Sequence, residues 1–304
     1  MNSHLKAALA LIVTIFFAAL VIVLAKVSLE RISPFTFNWL QILVALVFLT
    51  LYTFLWKKEP FPRTLTPVQW FYPVAIGLAN FTLVRYLFLA GLEHLPVTTH
   101  AYLVNFVGLV TMILSIFIMQ ERPFLIQALG CIVALSGLTV YFEQLPAPEE
   151  MNGIFLVSAG VFFLALTNNL IRRFMVYHPQ ALSPVMLSTI AIWIGGMPLV
   201  VWGISEDGLH FNHSLYDWIV ILANGIIGLA LTLIVFNQVL KVLRSYEASI
   251  LASTGIVFVG VLAIPIAGET LSSNKIIGIA ILLTGILLTQ FKIPLHSLLN
   301  GFKR

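Results

Sequence analysis

The chain has 304 residues, 60% of them apolar and 9% charged, with a formal net charge of +4 and a mean hydropathy of +1.02. A water-soluble domain carries about 25% charged residues, so this composition excludes a protein surrounded by water and makes the lipid bilayer its main solvent. No basic run is interleaved with aromatics, which excludes nucleic acid as a partner, and the single cysteine, Cys131, excludes an internal disulfide.

Ten apolar stretches are predicted as membrane spans. Residues 5–25 are long enough to cross ~30 Å of hydrocarbon. They exceed the apolar core of a signal peptide, and no clear small-residue cleavage site follows. Pro34 opens a second span to residue 56, since proline is tolerated in a first helical turn. A basic, proline-rich loop with Lys57, Lys58 and Arg63 leads to spans at 70–92, 97–119 and 124–142. The acidic, proline-rich segment 145–150 (LPAPEE) is the predicted boundary between two units, 1–144 and 145–304. Spans at 152–175, 184–204, 218–240, 248–268 and 275–291 follow, and the tail beyond is basic.

The two units repeat one pattern. At a constant offset of 148 residues, Trp70, Gly77 and Leu83 fall on Trp218, Gly225 and Leu231, and Glu121, Gly130, Leu135 and Gly137 fall on Glu269, Gly278, Leu283 and Gly285. Ser33-Pro34 is echoed by Ser183-Pro184 at a slightly different offset. Gly and Leu abound in membrane helices, so the fixed offset carries the signal. With both termini on one side, twelve Lys and Arg fall on that side and three (Lys26, Arg31 and Lys275) on the other, with Arg85 inside a span. This bias places the termini in the cytoplasm. Five spans per unit is an odd number, so the second copy must enter the membrane from the opposite side. The predicted fold is an all-α integral membrane protein of ten transmembrane helices, arranged as two inverted five-helix repeats around a central cavity. Inverted halves can exchange conformations about a midplane site, which is the requirement of alternating access.

The most distinctive residues are Ile118-Met119-Gln120-Glu121-Arg122-Pro123 with Gly130 and Gly137, and Ala267-Gly268-Glu269 with Gly278 and Gly285. Together with Ala25-Lys26 and Ile32-Ser33-Pro34, they make the chain resemble the drug/metabolite transporter superfamily in its ten-helix, EamA-type branch. The resemblance covers nearly the whole length. It departs at Gln41, where that family often carries an arginine. It implies a secondary transporter for small organic solutes, amino acids among them, acting as an exporter in a bacterial inner (plasma) membrane.

Polar groups inside a span are costly unless they face protein or water. The candidate substrate-binding residues are therefore Asn80, Arg85 and Tyr86 of the third span, and His100, Tyr102 and Asn105 of the fourth. Asn168 and Asn169 of the sixth, Asn224 of the eighth, and Ser253 and Thr254 of the ninth complete the polar set. Phe17 and Phe163, at roughly matched positions, are aromatic candidates for the same cavity. Arg85 is predicted ~22 Å along its span; it either grips a substrate carboxylate by two parallel hydrogen bonds or extends its charge to the headgroups. His100 either titrates during transport or is a satisfied helix-start residue. The asparagines are ligands or interhelical glue. The first, third, fourth, sixth, eighth and ninth spans are expected to line the cavity, with the fifth and tenth outside it. The stripe Gly130, Ala134, Gly137 packs against the equivalent stripe of another helix or against a second subunit, the latter giving a homodimer.

All twelve acidic residues fall in links or at span ends, leaving no midplane carboxylate as a proton carrier. Facilitated diffusion or exchange is the expected mode. No zinc motif or phosphate-binding glycine loop is present, and His4, His178, His210, His213 and His296 are scattered. No catalytic residue, metal or cofactor is expected. The alternatives to a transporter are a membrane scaffold or receptor, and an intramembrane enzyme.

Overall fold

The computed structural model describes residues 3–95, 97–142, 151–208, 214–267 and 272–291. The segment 145–150, Gly268, Glu269, His210, His213 and the basic tail lie outside the described residues. Ten helical stretches, here α1–α10, run through the rest: α1 Ser3–Ser28, α2 Pro34–Trp56, α3 Pro67–Gly91, α4 Thr99–Ile118, α5 Leu125–Phe142, α6 Met151–Tyr177, α7 Pro184–Asp207, α8 Leu215–Val239, α9 Ser245–Ile266 and α10 Ser273–Gln290. Among the described residues nine are long and apolar enough to cross a bilayer; the apolar part of α5, Leu125–Tyr141, is slightly shorter.

The helix starts follow from local chemistry. Ser33 and Ser183 precede Pro34 and Pro184, and each serine oxygen accepts a hydrogen bond from a backbone N–H of the first turn, Thr36 in one case and Met186 in the other, both at 3.0 Å. Thr66 with Gln69, and Ser214 with Asp217, form capping boxes at α3 and α8. Each cap satisfies amides that would otherwise meet hydrocarbon bare.

Helix packing obeys a two-fold relation. α1 packs on α8 and α9, and its counterpart α6 packs on α3 and α4; α2 on α8 is mirrored by α7 on α3. The pairs α2–α7, α4–α9 and α5–α10 pack directly on each other. In the α5–α10 pair, a Cβ at Gly130 would meet the Gly285 carbonyl oxygen at 2.8 Å, and one at Gly137 would meet that of Gly278 at 2.8 Å. Rising residue numbers on α5 therefore meet falling ones on α10. Equivalent helices run antiparallel, so the repeats are inverted. The small-residue stripe of α5 meets its own counterpart on α10 of the same chain.

Two irregularities recur at the 148-residue offset and were not predicted. α3 widens into a π-helical stretch at Leu78–Leu83, and α8 does so at Asn224–Leu231. α4 breaks at Asn105 and Phe106, and α9 breaks at Ser253. There the backbone tightens to three-residue bonds, Asn105 N–H to Tyr102 O at 3.2 Å and Ser253 N–H to Ile250 O at 3.1 Å. Carbonyls released by such breaks need donors. Asn105 supplies its own amide to Ala101 O at 2.7 Å, and Thr232 its hydroxyl to Ile227 O at 3.0 Å.

Candidate functional site

The face that carries the N-terminus and the 57–66, 119–124 and 240–244 links is called here the terminal face; the opposite one is the distal face. A cavity of about 430 Å³ lies between α2, α3 and α6 toward the distal face. Its polar groups are Asn38 and Gln41 from α2 and Asn80 and Arg85 from α3; Phe37, Val84, Phe88, Leu89 and Leu164 supply apolar wall. Arg85 Nη1 donates to Asn38 Oδ1 at 2.9 Å. Gln41 Nε2 donates at 3.3 Å to the carbonyl of Asn224, the first residue of the α8 π stretch. Through Pro34 and Leu89 the cavity adjoins a wider space of about 630 Å³, bordered by the acids Glu93, Glu206 and Asp207. Asp207 accepts hydrogen bonds from Thr36 Oγ1 at 2.8 Å and Trp39 Nε1 at 2.7 Å, tying α7 to α2. Nearby, Arg31 pairs with the buried Asp217 at 2.5 Å, and that bond holds the guanidinium above its ordinary pKa.

Toward the terminal face the bundle is closed by polar bonds. Asn169 Nδ2 donates to Thr111 O at 3.1 Å, and its Oδ1 accepts from Ser245 Oγ at 2.7 Å. Asn168 Nδ2 donates to Ser249 Oγ at 3.0 Å. Arg172 joins Glu121 at 3.0 Å and Leu240 O at 2.7 Å. Glu247, fully buried in the first turn of α9, accepts from Gln127 Nε2 at 3.1 Å and from the Arg244 N–H at 3.1 Å, and lies 3.2 Å from His4 Nε2. The acids Glu247 and Asp217 sit at span ends, as the sequence indicated, yet both are buried.

The distal half contrasts with this. At the 148-residue offset, Thr111, Ser245 and Ser249 correspond to Val259, Val97 and Ala101. Val259 and Ala101, with Ala18, Ala19 and Ile22 of α1, border an apolar crevice of about 410 Å³. Where Ser249 accepts a hydrogen bond from Asn168 in the terminal half, Ala101 borders the apolar crevice in the distal half.

Of the candidate residues, the structure brings Asn80 and Arg85 together in the cavity. Asn168, Asn169 and Asn224 act between helices, Asn224 donating to Val21 O at 2.9 Å. Tyr102 reaches Thr139 Oγ1 at 3.3 Å, and Thr254 donates to Leu251 O at 2.8 Å. Asn105 and Ser253 mark the helix breaks. His100 packs edge-to-face with Phe88, ring centroids 5.3 Å apart, and Phe88, not His100, lines the cavity. Tyr86 and Phe163 border a lateral groove on the outside of α3 and α6, and Phe17 is 47% exposed. The expected set of lining helices also changes. α2 contributes the inner wall, because its packing on both α7 and α8 turns Asn38 and Gln41 inward. α4 and α9 take part in the terminal closure instead, α1 borders the apolar crevice, α8 packs on α1 and α2, and α5 and α10 pack mainly on each other. Asn38 was missed; its only signal is its position one turn after Pro34 on the face shared with Gln41.

The family comparison agrees with this architecture. The model of the EamA-like transporter family matches residues 5–142 and again 151–291. The chain belongs to the EamA-like transporter family. It is therefore a multi-pass membrane protein of a transporter family, with two EamA repeats. It is 24% identical over 213 residues to an "Uncharacterized transporter in sor 3'region" of Acidianus ambivalens, covering 69% of this chain and 81% of that protein. It is 25% identical over 292 residues to a chloroplastic WAT1-related protein of Arabidopsis thaliana, covering 92% of this chain and 68% of that one. A solved crystal structure superposes with a TM-score of 0.79 at 16% identity, covering 95% of this chain and 99% of the other, and so shares the EamA-type fold.

Proposed function

We propose that the protein is a secondary transporter that moves small organic metabolites, amino acids or related solutes, by alternating access. The observation that carries this reading is the one-sided cavity: it adjoins a wider space at the distal face, while at the terminal face Asn169 and Asn168 hold α6 to Ser245 and Ser249, whose counterparts at the repeat offset, Val97 and Ala101, are apolar. Inverted halves with unequal closures are what a carrier caught in one of two states requires. A scaffold has no use for the asymmetry, and the family to which the chain belongs is one of transporters.

The charge bias favours a cytoplasmic terminal face, and with that orientation in a plasma membrane the conformation is outward-open. Glu93, Glu206 and Asp207 then give the outer mouth a negative potential that weakens retention of anions arriving from outside. That favours release and hence export. Purified protein in proteoliposomes should show saturable counterflow of radiolabelled phenylalanine or leucine, accelerated by unlabelled solute on the opposite side. Flux that never saturates, or no flux of any small metabolite, contradicts the carrier reading.

A further inference from the structure

We propose that the solute carried is an organic acid with an apolar body, its carboxylate gripped by Arg85 while Asn38 holds the guanidinium in place. This rests on the cavity being the solute site. Arg85 lies about 9 Å short of the Gly91 end of α3, at 1.5 Å per residue, and its head is directed to Asn38 on α2. Its partner is a neutral amide oxygen. The ion pairs found among the described residues include Arg31 with Asp217 and Arg172 with Glu121, and none found involves Arg85. A guanidinium has five N–H donors; Asn38 engages one, and the others form the planar fork that matches a carboxylate.

The surroundings define the rest of the ligand. Phe37, Phe88 and Leu164 offer an apolar wall, and among the described residues no Asp or Glu borders the cavity. An amine without a carboxylate would meet Arg85 as a like charge with no acid to offset it. An α-amino acid would place its ammonium near the amide oxygens of Asn80 and Gln41, the latter having its nitrogen committed to Asn224 O. The common requirement is the carboxylate, and a volume of about 430 Å³ suits a body of small-metabolite size.

The test uses the full chain in detergent, with binding measured by calorimetry for 3-phenylpropionate, phenylalanine and phenethylamine. One or both carboxylates should bind saturably, at least tenfold more tightly than phenethylamine; the comparison between them tells an amine-free acid from an amino acid. Arg85→Gln should weaken the bound carboxylate more than tenfold, Arg85→Lys should recover part of the loss, and Asn38→Ala should reduce the preference for acid over amine severalfold. The preference for acid over amine in the unaltered protein needs no variant, so the test survives a variant that does not fold. Absence of binding by both carboxylates, phenethylamine binding as tightly as either acid, or full carboxylate affinity in Arg85→Gln overturns the assignment. Parallel flux measurements separate it from the carrier reading. Carboxylate binding without any saturable flux removes the carrier and leaves the ligand class; saturable flux of an amine unaffected by Arg85→Gln does the reverse.

Discussion

At the scale of residues, buried polar groups divide between two tasks. Asn169 and Glu247 have their hydrogen-bonding capacity met by neighbouring helices, whereas Asn80 and Arg85 line the cavity. Both kinds were visible in the sequence as polar residues inside or beside apolar spans, but their division was not. Which way an asparagine points depends on helix rotation, and rotation is set by packing across the two halves. Asn38 shows the same limit: a polar residue one turn into α2 has no distinguishing periodicity until α7 and α8 fix its face. Glu247 permits a direct check. Removing its carboxylate leaves the Arg244 N–H without its acceptor in a buried site and takes one of two acceptors from Gln127 Nε2, which keeps Thr289 O at 3.0 Å. Glu247→Ala is expected to cost about 1–3 kcal/mol, the usual penalty for orphaned buried donors, seen as a lowered thermal midpoint of the detergent-solubilised protein. An unchanged midpoint would mean that the terminal closure does not depend on this carboxylate.

At the scale of elements, the ten spans were legible because hydrocarbon demands long apolar runs, and the capping serines and prolines marked several starts. The breaks in α4 and α9 and the π stretches in α3 and α8 were not. Asn105 and Ser253 carry only a weak local preference against helix, and a π turn requires one extra residue without any compositional mark. Their recurrence at one offset shows that they belong to the repeat. The closures of the two halves differ in chemistry: Asn169 bridges α6 to α4 and α9 through the Thr111 carbonyl and Ser245 Oγ, while the sequence has Val97 at the counterpart of Ser245. Asn169→Leu removes both bridges. At about 0.5–1.5 kcal/mol net for each bond, the balance should shift about tenfold toward the terminal-open state. Spin labels at Arg63 and Lys241, on links of the terminal face, should then report a larger population at long separation. An unchanged distance distribution would show that these bonds do not hold the closure.

For the whole molecule, the inverted two-fold relation is carried by the antiparallel pairs α2–α7, α4–α9 and α5–α10. Its sequence trace is the constant offset, and its physical cause is the odd number of spans per repeat. The functional consequence is a single site that each face should reach in turn. The most direct measurement places one reporter, Leu164→Cys, in the cavity wall in a Cys131→Ser background. A membrane-impermeant thiol reagent is then applied to either side of oriented proteoliposomes. Modification is expected readily from the distal side and more slowly from the terminal side. Cross-linking the terminal closure through Asn168→Cys and Ser249→Cys, whose native side chains lie 3.0 Å apart, should abolish the terminal-side reaction and spare the distal one. Modification from the distal side alone with every solute tried, or a terminal-side reaction that survives the cross-link, would contradict alternating access.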